Sequence, residues 1–149
     1  MKIAQYVYFG ISSDTLVAEE IAQRVGLTPD SSRVRGSRNA DPPRPRHHLW
    51  AVECRGRGMD VQQQTAEVME RVMSRREKIR DLVKSGEAKA WLQIVRSFNA
   101  ADGEEEEITE DGDLVKLSGQ HQLLGWHMDG ATVRFLVDVG AEIDCDEYG

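Results

Sequence analysis

Cysteine is scarce in this chain: Cys54 and Cys145 are the only two in 149 residues. That is too few for a disulfide framework, and two reduced thiols are the expected state. The opening residues, Met1-Lys2-Ile3-Ala4-Gln5, have no apolar region ahead of a cleavage site. No export signal is therefore expected, and the cytoplasm is the expected location. Long apolar runs are missing as well. None approaches the roughly 20 residues needed to cross a bilayer, so a membrane is not an expected partner. Proline is confined to one stretch, where Pro29, Pro42, Pro43 and Pro45 account for all four.

Spacings that carry familiar chemistry are also missing. There is no C-x-x-C or H-x-x-x-H pattern. His47 and His48 are adjacent, so on a strand they point to opposite faces. His48 and Cys54 share a face but stand about 20 Å apart at strand rise. His121 and His127 are isolated. No metal ligand set and no cofactor site is read from these residues. The acidic stretch after Asn99 lacks the ligand order of a calcium-binding loop. No G-x-S-x-G elbow occurs, and Ser12 and Ser13 read as helix caps. Gly56-Arg57-Gly58 lacks the third glycine and the Lys-Ser/Thr of a phosphate loop, so a tight turn is the better reading. No catalytic residue is assigned, and the chain reads as a non-enzyme sooner than as an enzyme.

What is present is an ordinary globular balance, with 40% hydrophobic and 30% charged residues. The length suits a single domain, 1–149, with its own core. The formal net charge of −7 is unevenly spread: eight arginines lie between Arg24 and Arg57, and eight acids with no base lie between Asp102 and Asp113. Overall acidity repels a phosphate backbone, which argues against nucleic acid as a partner.

A strand–helix–glycine unit occurs twice. The first runs from an alternating strand, Ile3 to Ile11, through Asp14 as expected N-cap, to a helix ending at Val25-Gly26. Tyr6, Tyr8 and Gly10 alternate with Val7, Phe9 and Ile11, so this strand is apolar on both faces, as suits a central strand. The helix places Val17 or Ala18, Ile21, Ala22 and Val25 on one side. The second unit runs from the strand Trp91 to Phe98 to Asp129. A helix with Ala131, Phe135 and Val139 inward follows, then Gly140 and a strand through Ile143 and Cys145. Between the units lie a proline-rich connection, Thr28 to Arg46, and a strand, His48 to Cys54. The longest helix, Asp60 to Ser85, comes next, with Val61, Thr65, Val68, Val72, Ile79 and Val83 in a stripe. Asp111-Gly112 between Ile108 and Leu114 reads as a hairpin turn. The implied fold class is α+β. It is a ferredoxin-like sandwich of two βαβ-like halves joined by a long helix, with helices mainly on one face of a mostly antiparallel sheet.

The strongest ligand-binding candidates are Arg33, Arg35 and Arg38, with Trp50 close behind. Guanidinium forks suit carboxylates and phosphates, and an indole can stack on a ligand. The competing reading makes Trp50 core and the arginines a solvated loop.

Several landmarks occur in a telling order. A first strand and helix end in Gly26-Leu27-Thr28-Pro29, and a basic stretch, Arg33-Val34-Arg35, reaches Gly36. A strand is centred on Trp50, and a long helix carries Arg76-Glu77-Lys78-Ile79. The closing run is Leu136-Val137-Asp138-Val139-Gly140-Ala141-Glu142-Ile143-Asp144. Together they resemble domain-of-unknown-function family 4279, a set of small bacterial proteins, over nearly the whole chain. The resemblance implies no activity and no catalytic residue. It does place Arg33 and Arg35 within a family landmark, while Ser37 to Arg46 and the acidic insertion look particular to this chain.

The leading functional expectation is a non-enzymatic protein-binding module, a regulatory partner or an immunity-type protein. Its acidic segment would steer another protein with a basic surface. The alternative is a small-anion or nucleotide-binding protein, with or without catalysis, using the Arg33-Arg35-Trp50 region. Homodimerisation through exposed strand edges is a third option.

Overall fold

The computed structural model describes residues 2–105 and 125–149. The expected Asp111-Gly112 hairpin, most of the acidic segment and His121 lie outside them. The frame of the molecule is β1 (Lys2–Ser13), the longest strand. Flanking it, both antiparallel to it, are β3 (His48–Cys54) and β4 (Lys89–Phe98). β2 (Ser31–Arg33) pairs antiparallel with the outer side of β3. β6 (Glu142–Tyr148) pairs parallel with the outer side of β4. The sheet order is therefore β2-β3-β1-β4-β6, and the short β5 (Glu104–Glu105) joins the first residues of β1. The helices are α1 (Ala18–Val25), α2 (Val61–Val72), α3 (Arg76–Lys84) and α4 (Gly130–Val139). None of the described helices is long and apolar enough to cross a membrane.

The α+β class, the mostly antiparallel sheet and the placement of the described helices on one face agree with the sequence reading. Of the two expected βαβ halves, the second joins neighbouring strands: α4 carries the chain from β4 to its parallel neighbour β6. In the first unit β3 runs against β1. The strand that runs with β1 is β2, because β2 opposes β3. The chain thus passes over α1 to the sheet edge and comes back between the two as β3. The three residues Ser31-Ser32-Arg33 carry no apolar pattern, which is why the edge strand is invisible in the sequence.

The long helix also differs from expectation. A 3₁₀ turn at Met73–Arg75 divides it into α2 and α3. It is not a linker between halves but the crossover from β3 to β4, two mutually parallel strands that straddle β1. Asp60 caps α2 reciprocally: its Oδ1 accepts from Gln63 N at 2.8 Å, and Gln63 Oε1 accepts from Asp60 N at 2.9 Å. Asp129 caps α4 by accepting from Thr132 N at 2.7 Å. Gly26 and Gly140 end α1 and α4 with φ of 74° and 71°, the left-handed conformation that glycine adopts without strain. Asp14 does not cap α1; the helix begins after Val17, whose N–H is taken by Glu20.

Alternation along β1 separates two environments. Val7, Phe9 and Ile11 point to the helices, with Trp50 and Val52 of β3 and Leu92 and Ile94 of β4 beside them, all fully buried. Ile21, Val25, Val68, Val72, Ile79 and Phe135 close over them in one cluster. Phe9 meets Phe135 at 5.9 Å between ring centroids. On α4 the inward position expected for Ala131 belongs to Thr132, and Ala131 is exposed. Cys54 and Cys145 are both free thiols. β1 and β4 separate their strands, so about 14 Å of sheet lies between them, too far for a disulfide.

Candidate functional site

The predicted arginine–tryptophan group does not converge. Trp50 is 0% exposed, and its Nε1 donates to Leu27 O at 3.1 Å. A ring with no free surface cannot stack on a ligand, so Trp50 is a core residue that ties β3 to the end of α1. Arg33 pairs in register with Leu49 and therefore projects from the opposite face of the sheet. Arg35 turns over the end of β1, where its N–H donates to His48 Nδ1 at 3.1 Å and its Nη1 donates to Asp14 O at 3.2 Å. Arg38 sits further along the exposed loop, bonded through its backbone N–H to Arg44 O at 2.9 Å.

Through its bond to Asp14 O, Arg35 stands beside a cleft of about 240 Å³ lined by Ser12, Asp14, Thr15, His47, Glu87 and Lys89, among others. It forms where β1 ends, β3 begins and β4 begins. The His47 ring hydrogen-bonds Asp14 Oδ1. That bond, aided by the charges of Arg35 and Lys89, holds the Asp14 carboxyl below its ordinary value. Across the cleft Glu87 is held low by Arg24 and then by Ser85. Both carboxylates are engaged and exposed, so the cleft is wet and of mixed charge. Among the described residues no three His, Cys, Asp or Glu side chains are placed to hold a metal ion.

A second surface is better organised. No described helix covers the far face of the sheet, and three aromatic rings meet there. Tyr6 and Tyr8, two apart on β1, stack with centroids 6.3 Å apart. Trp91 of β4 meets Tyr8 edge-on at 6.2 Å. Its indole lies directly on Gly10: a Cβ at that position would stand 2.9 Å from Trp91 Cζ2. Glycine is therefore what lets the ring lie flat against the strand.

Polar contacts fix these rings in place. Trp91 Nε1 donates to Gln93 Oε1 at 3.1 Å, and Gln93 Nε2 donates to Asp146 Oδ2 at 3.3 Å. Gln93 is only 4% exposed, so this relay is held beneath the surface. At the other end the Arg55 guanidinium covers the Tyr6 ring at 3.8 Å and bonds Glu53 at 3.0 Å. Burial pushes the Tyr8 phenol above its ordinary value, against the bond with Trp91. The Asp146 carboxylate does the same to the Tyr148 phenol.

Charge flanks the rings asymmetrically. Arg33 and Arg55 lie toward β2 and β3, while Glu142, Asp144 and Asp146 of β6 line the other side. The sequence did carry a signal for this face. Two tyrosines at i and i+2 beside a glycine mark a strand face that is half-buried, not sealed, because each hydroxyl needs water or a partner.

These features define a small α+β domain with one mixed sheet, helices on one side and an aromatic, charge-flanked surface on the other. The chain belongs to the family described as a domain of unknown function, DUF4279, whose model matches residues 3–149. No curated protein and no solved structure matches it.

Proposed function

We propose that this domain is a non-enzymatic protein-binding module, acting on a regulatory target or neutralising a toxin in the cytoplasm. Its contact surface is the sheet face that no described helix covers. The observation that carries this reading is the fixed array Tyr6–Tyr8–Trp91. Tyrosine, tryptophan and arginine are the residues that dominate protein–protein contacts, and they do so best when pre-ordered and surrounded by polar groups. The rings are already immobilised by Gly10, Gln93 and Arg55. Little side-chain entropy is then lost on binding. The acidic flank on β6 suits a partner with a basic surface.

Affinity capture with the immobilised domain tests this. Wild type should retain a protein that Tyr8→Ala and Trp91→Ala release, while Glu67→Ala, on the exposed side of α2, retains it. Equal retention by all four proteins overturns the reading.

A second reading, small-anion binding, is supported by the cleft where Arg35, His47 and Lys89 surround Asp14. Thermal-shift measurements with phosphorylated metabolites address it. Stabilisation that Arg35→Ala removes would favour anion binding, and no stabilisation by any of them would end it.

A further inference from the structure

The two edges of the sheet are unequal. β2 is three residues long, and the chain beyond it folds back as the loop that follows. β6 is seven residues long and pairs only with β4 among the described residues. At strand rise that is about 23 Å of edge whose outward N–H and C=O groups pair with no strand among the described residues. Every residue from Glu142 to Tyr148 is exposed, including Ile143 at 45% and Tyr148 at 57%.

The side chains along this edge carry a pattern. Glu142, Asp144 and Asp146 project on the aromatic face, while Ile143, Cys145 and Glu147 project on the helix face. Asp146 is bonded to Gln93, and Glu147 to Arg96 at 2.8 Å. Glu142 and Asp144 form no ion pair among the described residues. β6 itself contains no basic residue.

That pattern decides between occupants. Two copies of β6 paired antiparallel about Asp144 would set Asp144 against Asp144 and Glu142 against Asp146. Like charges directly opposed destabilise a strand pair, so a second copy of this chain is disfavoured. The same acids attract a strand of opposite charge. On the helix face Ile143 and Cys145 offer an apolar neighbour at the alternate positions.

We infer that the β6 edge accepts an extended basic segment of the partner protein as an added strand. Its lysines or arginines alternate with apolar residues, the basic ones facing Glu142, Asp144 and Asp146. This rests on the protein-binding reading above and names the partner's chemistry. Backbone hydrogen bonds supply affinity, and alternate side chains supply selectivity. The added strand widens the sheet, with β6 between it and Trp91 and Gln93 of β4, so the aromatic face and the new edge lie on the same side of one sheet.

A defined probe tests the inference without the natural partner. Three capped heptapeptides are titrated into the intact protein: Lys-Val-Lys-Val-Lys-Val-Lys, the same peptide with alternate N-methylated amides, and Glu-Val-Glu-Val-Glu-Val-Glu. The first should bind with hydrogen-exchange protection confined to alternate amides of β6, at least about tenfold more tightly than the other two. Glu142→Lys with Asp144→Lys should reverse the preference between the lysine and glutamate peptides. Both positions are exposed on an edge, and retained amide spectra elsewhere report that the variant folds. No binding of the lysine peptide, or equal binding of its N-methylated form, overturns the inference. Neither result touches the sheet-face reading, which is tested separately by partner capture with Tyr8→Ala and Trp91→Ala.

Discussion

Replacing Trp50 separates a structural tryptophan from a ligand-stacking one. The side chain is fully buried, and its Nε1 donates to Leu27 O at 3.1 Å. Trp50→Ala deletes the largest fully buried side chain of the core and leaves a cavity between β3 and α1. Such deletions cost about 3–5 kcal/mol. Trp50→Phe keeps most of the apolar volume but leaves the Leu27 carbonyl unmatched. That costs about 1–3 kcal/mol, because a half-buried acceptor then lacks a donor. For a chain of this length each kcal/mol shifts the melting temperature by roughly 2–4 °C. Trp50→Ala should therefore melt roughly 6–20 °C below wild type, and Trp50→Phe roughly 2–12 °C below. Urea denaturation followed by far-UV circular dichroism gives the free energies directly, with an unchanged m-value as the sign that only stability has moved. A Trp50→Ala protein as stable as wild type would refute the reasoning.

Other perturbations probe particular contacts. Burial pushes the Asp30 carboxyl up, but its bonds with Arg71 and with the Glu53 N–H outweigh that and hold it below the ordinary value. A depressed folded-state pKa stabilises fully above the unfolded value near about 3.9 and ceases to do so as pH falls through the folded value. The stability gap between wild type and Asp30→Asn should accordingly be flat at neutral pH and close in acid. Its size should be at most about 1 kcal/mol, since Asp30 and Arg71 are 34% and 38% exposed; a gap that widens in acid contradicts the assignment. Asp60→Ala removes one half of the α2 capping box and should cost about 1 kcal/mol in urea denaturation, with no change indicating that the cap is idle. Gly10→Val places a side chain where the Trp91 indole lies, with the Cβ alone 2.9 Å from Cζ2. The indole N–H resonance should shift and partner capture should fall, with about 1–3 kcal/mol of stability lost; an unshifted resonance would show that the ring does not rest on that strand.

Much of the architecture was readable because apolar period and caps are local signals. Val7, Phe9 and Ile11, the stripe from Val61 to Ile79, and the helix boundaries at Asp60, Asp129, Gly26 and Gly140 all occupy their expected places. The topology of the first unit was not readable. It depends on Ser31-Ser32-Arg33 pairing with β3, and three polar residues carry no periodic signal. Asp14 was assigned to a cap by its position before a helix, yet its carboxylate meets His47, which is 33 residues away and belongs to another strand's approach. The arginines were grouped by sequence proximity, but strand alternation sends Arg33 and Trp50 to opposite faces. Tyr6, Tyr8 and Gly10 give β1 the second apolar face expected of a central strand, and that face is the bed on which Trp91 rests. Their pairing with β4 is non-local, so only the register reveals it.

The central claim is that the sheet face covered by no described helix touches a protein partner. Site-specific photo-crosslinking reports this most directly, with benzoylphenylalanine placed at Tyr8 in one protein and at Glu67 in another. The account predicts a crosslinked partner from position 8, competed away by unlabelled wild type and not by Trp91→Ala, and none from position 67. Crosslinking from position 67 alone, or none from either in an extract where wild type captures a partner, would contradict it.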